Sequence, residues 1–370
     1  MRKSALLWFG LVVTVLVALG LVVLSSASEA NAIRLHNGDP YFFMKRQFAY
    51  LVVGVVVAVC VAMFDYRRWR DNSWLAWLFY AVVIALLLAV FGFDAINGSH
   101  RWIKAGPLRL QPSEFAKLST VILLSVLLDR LGWKVELFGR GALCPAALIG
   151  LIALPILVEP DFGSVMVVGL VGFLVMFVAG VRLLHMLPFA VIGAGVVAYK
   201  VLTNANRVSR LFDDEKLYQV KMALAAIGNG GIWGAGLGES MQKQLYLPEA
   251  HTDFVFAVGA EELGIIFSVS VVLLFIAFFA LSVYIARQAS DRFGRFLVVG
   301  MAFIIFFQAM FNIGVVCKAL PTKGMALPFF SYGGTNLLSA FFAVGTILSV
   351  GIHSYRDRAH MLGRKVLMRS

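Results

Sequence analysis

ALLWFGLVVTVLVALGLVVL, residues 5–24, carries no charge and a single hydroxyl, Thr14. A helix rises about 1.5 Å per residue, so roughly 20 such residues cross the ~30 Å hydrocarbon core of a bilayer. The run is longer than the apolar core of a secretory signal, about 7–15 residues, so despite the Ser25-Ser-Ala-Ser28 that follows it is expected to be a retained first span. Comparable runs recur near 47–64, 74–93, 114–129, 141–158, 164–180, 186–202, 254–285, 296–317 and 330–353. They predict an all-α polytopic membrane protein of about ten transmembrane helices, one integral domain over 1–370, with both termini on the same side.

Composition agrees. Of 370 residues, 61% are hydrophobic and 14% charged, against about 45–50% and about 25% in a soluble domain. No room is left for a sizeable soluble domain. The net charge of +12 would suit nucleic acid, but no nucleic-acid-binding motif accompanies it, and membrane topology accounts for most of it. With the N-terminus inside, seventeen of the 32 basic residues fall in cytoplasmic segments, among them Arg67, Arg68, Arg70, Arg130, Arg182, Arg287 and Arg292; this is the positive-inside pattern. Cys60, Cys144 and Cys317 lie far apart with no CxxC spacing and read as small core residues.

The longest connection, residues 203–253, joins the seventh and eighth spans on the outer side. It contains Ile227-Gly-Asn-Gly-Gly-Ile-Trp-Gly-Ala-Gly-Leu-Gly238, whose glycines permit close turns and whose apolar residues disfavour disorder. An ordered loop is expected, lying on the membrane surface or folding back into the bundle. No internal repeat is visible, which counts against transporters built from repeated halves.

Ionisable groups within spans are costly and mark functional candidates. In Gln111-Pro-Ser-Glu-Phe-Ala-Lys117, Pro112 and Ser113 suit a helix entry, and Glu114 and Lys117 share one face three residues apart; they are a structural ion pair or a seat for polar substrate. In Tyr246-Leu-Pro-Glu-Ala-His-Thr-Asp253, Thr252 or Asp253 suits the N-cap of the eighth span, with catalysis as the alternative. Glu261 and Glu262 follow in that span. A spacing of eight puts Asp253 and Glu261 on nearly one helix face, implying a polar cleft running inward from Asp253. Outer basic residues Arg101, Lys104, Arg109, Arg207, Arg210, Lys216, Lys221 and Lys243 run against the positive-inside tendency, and an anionic ligand such as a pyrophosphate is a physical reason for them.

Five motifs, Gln111-Pro-Ser-Glu-Phe-Ala-Lys117, Glu159-Pro-Asp-Phe-Gly163, Gln242-Lys-Gln-Leu-Tyr-Leu-Pro-Glu-Ala-His-Thr-Asp-Phe254, Glu261-Glu-Leu-Gly264 and Ser331-Tyr-Gly-Gly334, stand in the order found in the SEDS family (shape, elongation, division, sporulation). The chain resembles that family over nearly its whole length. Leu320-Pro-Thr-Lys-Gly324 and the Gln-Lys ahead of Tyr246 are closer to the division branch than to the elongation branch. It departs in Val316-Cys-Lys-Ala-Leu320, where the family tends to place a glycine before Leu-Pro, and in a short stretch 207–220.

The resemblance implies ten helices with a large outer loop between the seventh and eighth. The activity it implies is peptidoglycan glycosyltransfer: polymerisation of lipid II on the outer face of a bacterial inner membrane, at the division septum, with release of undecaprenyl pyrophosphate. Asp253 matches the family's essential carboxylate and is expected to be the general base. Glu114, Lys117, Arg101, Arg207, Arg210, Lys243, Glu249, His251 and Thr252 are the expected substrate contacts, with Asp161, Glu261, Glu262 and Ser331 supporting the cavity. Fixed cations or a divalent metal, Mg or Mn, would serve the departing pyrophosphate. The expected partners are lipid II, a class B penicillin-binding transpeptidase and other divisome or elongasome membrane proteins. The competing readings are a lipid II flippase, which would need its ionisable groups near the midplane, and a non-catalytic scaffold.

Overall fold

The computed structural model describes residues 3–35, 38–94, 100–105, 108–202, 214–241, 250–320 and 324–367, nearly all of them helical. In chain order come α1 (Lys3–Leu35), α2 (Phe42–Met63), the short α3 (Arg67–Asp71), α4 (Ser73–Ala89), a hairpin of β1 (Ile103–Ala105) and β2 (Leu108–Leu110), and α5 (Pro112–Leu131). Then follow α6 (Cys144–Val158), α7 (Phe162–Ala179), α8 (Leu183–Leu202), α9 (Asp214–Gly230), α10 (Val255–Arg287), α11 (Arg292–Val316) and α12 (Gly334–Leu367). Among the described residues eight helices are long and apolar enough to cross a membrane. The remaining two expected spans are α5, whose Glu114, Lys117, Asp129 and Arg130 lower its hydropathy, and α8, whose apolar part Leu183–Tyr199 is shorter. All ten expected spans are therefore helices, and the chain is a polytopic α-helical membrane protein.

Helix α5 lies near the centre of the bundle: every residue from Pro112 through Val126, Phe115 apart, is buried. Helices α11 and α12 share that interior, while α2, α6, α8 and α10 present rows of exposed aliphatic side chains. Val269, Leu273 and Ile276 on α10 are spaced as one helical stripe, a face that lipid solvates as readily as a core does. The same reason corrects the reading of the cysteines. Cys60, Cys144 and Cys317 are exposed on the bundle surface rather than in the core, because in a membrane an apolar residue gains nothing by choosing inside over outside.

One end of the bundle is tied by ions. Asp291 caps α11 by accepting from the Gly294 backbone N–H at 2.7 Å, and it also accepts from the Tyr66 hydroxyl at 3.0 Å. Arg67 and Arg70 lie 3.6 and 3.5 Å from it, and Arg67 also pairs with Asp357 of α12. Burial and the Asp291 charge push the Tyr66 phenol up to about 12. The turns after α2 and α10 are thus joined to the last helix.

The described part of the connection before α10, residues 214–241, packs back against that helix. Helix α10 is broken at Gly264, whose φ of 75° and ψ of −169° lie outside the helical region. A break strands carbonyls that would have accepted within the helix, and lipid offers them no donor. Here the Gly-rich turn after α9 supplies it: Ala235 N–H donates to Glu261 O at 2.9 Å and Gly236 N–H to Glu262 O at 3.0 Å, while Ile265 N–H donates to Gly231 O at 3.0 Å. The backbones meet so closely that a Cβ on Gly234 would strike Glu262 O, and one on Gly264 would strike Ile232 O. The glycines seen in the sequence serve this splice.

Gly264→Ala places a Cβ both in a left-handed conformation and against Ile232 O. The expected loss is about 1–3 kcal/mol, read as a lower thermal midpoint of the purified protein, whereas Gly150→Ala, at a helical site with open space around it, stays near wild type.

Candidate active site

Asp253 lies in the turn that leads into α10, and that turn is held by its backbone. Three consecutive carbonyls accept from three different places. His251 O accepts from the Tyr332 N–H at 2.9 Å, Thr252 O from the Ser331 hydroxyl, and Asp253 O from the Asn312 side-chain amide at 2.8 Å. Ser331 in turn accepts from the Leu327 N–H at 2.7 Å, and its carbonyl accepts from Gln47 of α2 at 3.2 Å. The His251 ring packs at a tilt against Phe43 with centroids 4.7 Å apart, and its Nδ1 lies 3.4 Å from the Asn31 amide. A Cβ on Gly324 would meet the Asp253 carboxylate, so the carboxylate faces the segment before α12 and would have to turn aside for any larger residue there.

Two expectations change here. The N-cap of α10 is Phe254, with no side-chain cap bond, so neither Thr252 nor Asp253 performs the capping that their residue types suggest. Asp253 also precedes the helix, so it and Glu261 do not share a helix face. Glu261 is buried and accepts from Ser240, while Glu262 accepts from Ser26 of α1 at 2.5 Å. Both carboxylates thereby tie the half-helix 255–263 to its surroundings.

The second polar centre is the head of α5. Pro112 occupies the first turn after the N-cap Gln111, which fixes the helix entry where the sequence places it. Glu114 and Lys117 form the expected i,i+3 pair at 2.7 Å, both nearly inaccessible. Glu114 also accepts from Ser339 at 2.9 Å and Asn336 at 3.3 Å, both on α12. Asp161, the N-cap of α7, accepts from Ser164 at 2.6 Å, Ser113 at 3.2 Å and Gln111 at 3.3 Å. Nearby, the Arg101 guanidinium donates to the backbone carbonyls of Pro160 and Glu159 at 2.7 and 3.3 Å. Lys104 and Arg109 are partners across the hairpin. Lys216 falls on α9, whereas Arg207, Arg210, Lys243 and Glu249 lie outside the described residues.

Sequence reasoning misses several members. Asn312 and Gln308 stand four apart as buried polar residues in the apolar stretch of α11 that follows Arg295, a signal present in the sequence. Gln47, Asn336, Ser339 and Glu159 are equally legible as polar groups in apolar surroundings. Glu159 is 1% exposed, and neither of its carboxyl oxygens has a hydrogen-bond partner among the described residues. Burial first, and the Asp161 charge second, push its carboxyl up to about 8 against the pull of Arg101. Among the described residues no group of three or more His, Cys, Asp or Glu side chains is placed to hold a metal ion, and the Asp161 carboxylate is already engaged by three side chains.

Comparison places this geometry among known proteins. Residues 6–356 match the family model FtsW/RodA/SpoVE, described as cell cycle protein. A relative from Thioalkalivibrio sulfidiphilus, named probable peptidoglycan glycosyltransferase FtsW, is 39% identical over 376 residues, covering 98% of this chain and 94% of its own. One of the same name from Geobacter metallireducens is 36% identical over 349 residues and covers 92% of each chain. Among solved structures, a chain from a work on the structural coordination of polymerization and crosslinking by a peptidoglycan synthase complex superposes with a TM-score of 0.76 at 28% identity, covering 94% of this chain and 98% of that one. The rod shape determining protein RodA of Thermus thermophilus gives 0.69 at 29%, covering 94% and 96%.

Lys117→Met strands the Glu114 charge in the interior. The expected cost is about 3–5 kcal/mol, with much of it recovered in the double variant Glu114→Gln/Lys117→Met, both read from thermal midpoints. Glu159 sets a pH dependence. Between its ordinary value of 4.5 and about 8, the folded protein keeps a proton that the unfolded chain releases, so stability falls as pH rises through that window and is level below it. Thermal midpoints across the window should decline for wild type, and Glu159→Gln should remove that part of the slope.

Proposed function

The chain belongs to the FtsW/RodA/SpoVE family of cell cycle proteins, and from that premise we propose that it is a peptidoglycan glycosyltransferase that polymerises lipid II into glycan strands. The observation that carries the reading is the Asp253 turn: a carboxylate at the end of the bundle, just ahead of a membrane helix, with the backbone on which it rides fixed at three successive carbonyls. A substrate with a wet sugar and a tail in lipid presents its reacting atoms at that level.

In this reading Asp253 takes the proton from the acceptor's sugar 4-hydroxyl as that oxygen attacks the anomeric carbon of the donor. The bond from that carbon to the lipid pyrophosphate breaks, and undecaprenyl pyrophosphate leaves. A base must lie within hydrogen-bond reach of the hydroxyl as the bond forms, and a turn that does not wander lowers the cost of that alignment. Lys117, Arg101, Arg207, Arg210 and Lys243 are the cations proposed to stabilise the departing charge. His251 and Thr252 are proposed as substrate contacts beside the base, as is Glu249. Orientation follows the basic residues: the end with Arg67, Arg70, Arg130 and Arg292 faces the cytoplasm together with both termini, and the Asp253 end faces outward from the inner membrane, at the septum. Strands made this way still need cross-linking, so a class B penicillin-binding transpeptidase is the proposed partner, within a larger division assembly.

The test is polymerisation of purified lipid II by the purified protein, with and without a cognate class B transpeptidase and with Mg²⁺ or Mn²⁺ supplied or chelated. Wild type should make glycan polymer, and Asp253→Ala, folded and equally abundant, should lose about 10²–10⁴-fold. Equal activity of the two removes Asp253 as the base, and lipid II movement across vesicles without polymer under any condition moves the assignment to a flippase.

A further inference from the structure

Asn312 sits within α11, four residues after Gln308, and is 2% exposed. Its side-chain amide nitrogen donates twice, to Asp253 O at 2.8 Å and to Met325 O at 2.6 Å. Both acceptors are carbonyls, so the amide can only be oriented with its nitrogen toward them. That leaves Oδ1 buried with no hydrogen-bond partner among the described residues. An unsatisfied buried acceptor is costly, and an apolar residue at this place would avoid that cost. The compensation is geometric, because one side chain fixes the separation of two chain segments.

Those segments meet at the carboxylate. Met325 follows Gly324, the residue whose missing Cβ gives the Asp253 carboxylate its room. Asp253 O and Met325 O are therefore held on one amide, while the Asp253 side chain and the Gly324 backbone face each other. From this we infer that Asn312 is a positioning residue: it sets the distance between the Asp253 carboxylate and Gly324 and so the reach of the base. The inference rests on the reading of Asp253 as that base, and Asn312 touches neither substrate nor reacting atoms directly.

Asn312→Leu keeps the branching at Cγ and removes both donors. In the full-length protein in nanodiscs, with the transpeptidase partner present, its kcat on lipid II should fall about 10²-fold, the effect of a displacement of about 1 Å, with KM within about threefold of wild type. The acid limb of kcat/KM, which reports the base, should move. A loss of folded protein would lower kcat at every pH and leave that limb in place. Asn312→Ser, which keeps one donor, should be intermediate and is read alone if the leucine variant does not accumulate. Hydrogen exchange supplies a readout independent of activity: amides in 250–256 and 324–331 should lose protection together, while those of α5 do not change. An unmoved acid limb, or unchanged protection in both segments, overturns the proposal. If wild type itself makes no polymer the functional reading fails, and exchange alone then decides whether Asn312 holds the two segments.

Discussion

Hydrocarbon offers no hydrogen-bond partner, so every backbone group placed within it must be answered by the protein itself. Most of this chain meets that demand with unbroken helix. A clear departure among the described residues is at Gly264, where α10 is interrupted and the stranded carbonyls of Glu261 and Glu262 are taken up by Ala235 and Gly236. A connecting segment thereby becomes a structural part of a membrane helix. The half-helix it completes runs back to Phe254, next to Asp253, so the loop, the break and the carboxylate form one mechanical unit.

The same scarcity of partners governs the charges. Glu114 and Lys117 are tolerated because they meet each other and because α12 brings Asn336 and Ser339 to the carboxylate. Asp161 is tolerated because three neutral side chains donate to it. Glu159 takes the other route: with no donor to it among the described residues, it holds its proton. Buried carboxylates of similar residue type thus meet the same constraint in different ways, according to their surroundings alone.

What the sequence made legible divides along this line. The spans were readable because twenty apolar residues admit few other fates, and the Glu114–Lys117 pair because i,i+3 spacing on a helix fixes proximity. The capping of α10 was not: Asp and Thr favour N-caps, yet here the carbonyls of 251–253 are claimed by Tyr332, Ser331 and Asn312, and those tertiary bonds set where the helix starts. The cysteines were misplaced because burial rules drawn from water do not separate inside from outside in lipid. The splice at Gly264 was invisible, since glycines reveal that backbones approach but not which ones.

The last helix supplies Ser339 and Asn336 to Glu114, Thr335 to the backbone of Arg109 and Gln111, and Asp357 to Arg67, with Ser331 just ahead of it. Until α12 enters the membrane, polar groups on α5 and at the turn after α2 lack part of their complement. Helix α12 thus closes polar sites that earlier helices leave open: without the residues from 334 onward, Glu114, Gln111 and Arg67 would each lose a partner, so the order in which the helices assemble matters to charges and amides far from the segment itself.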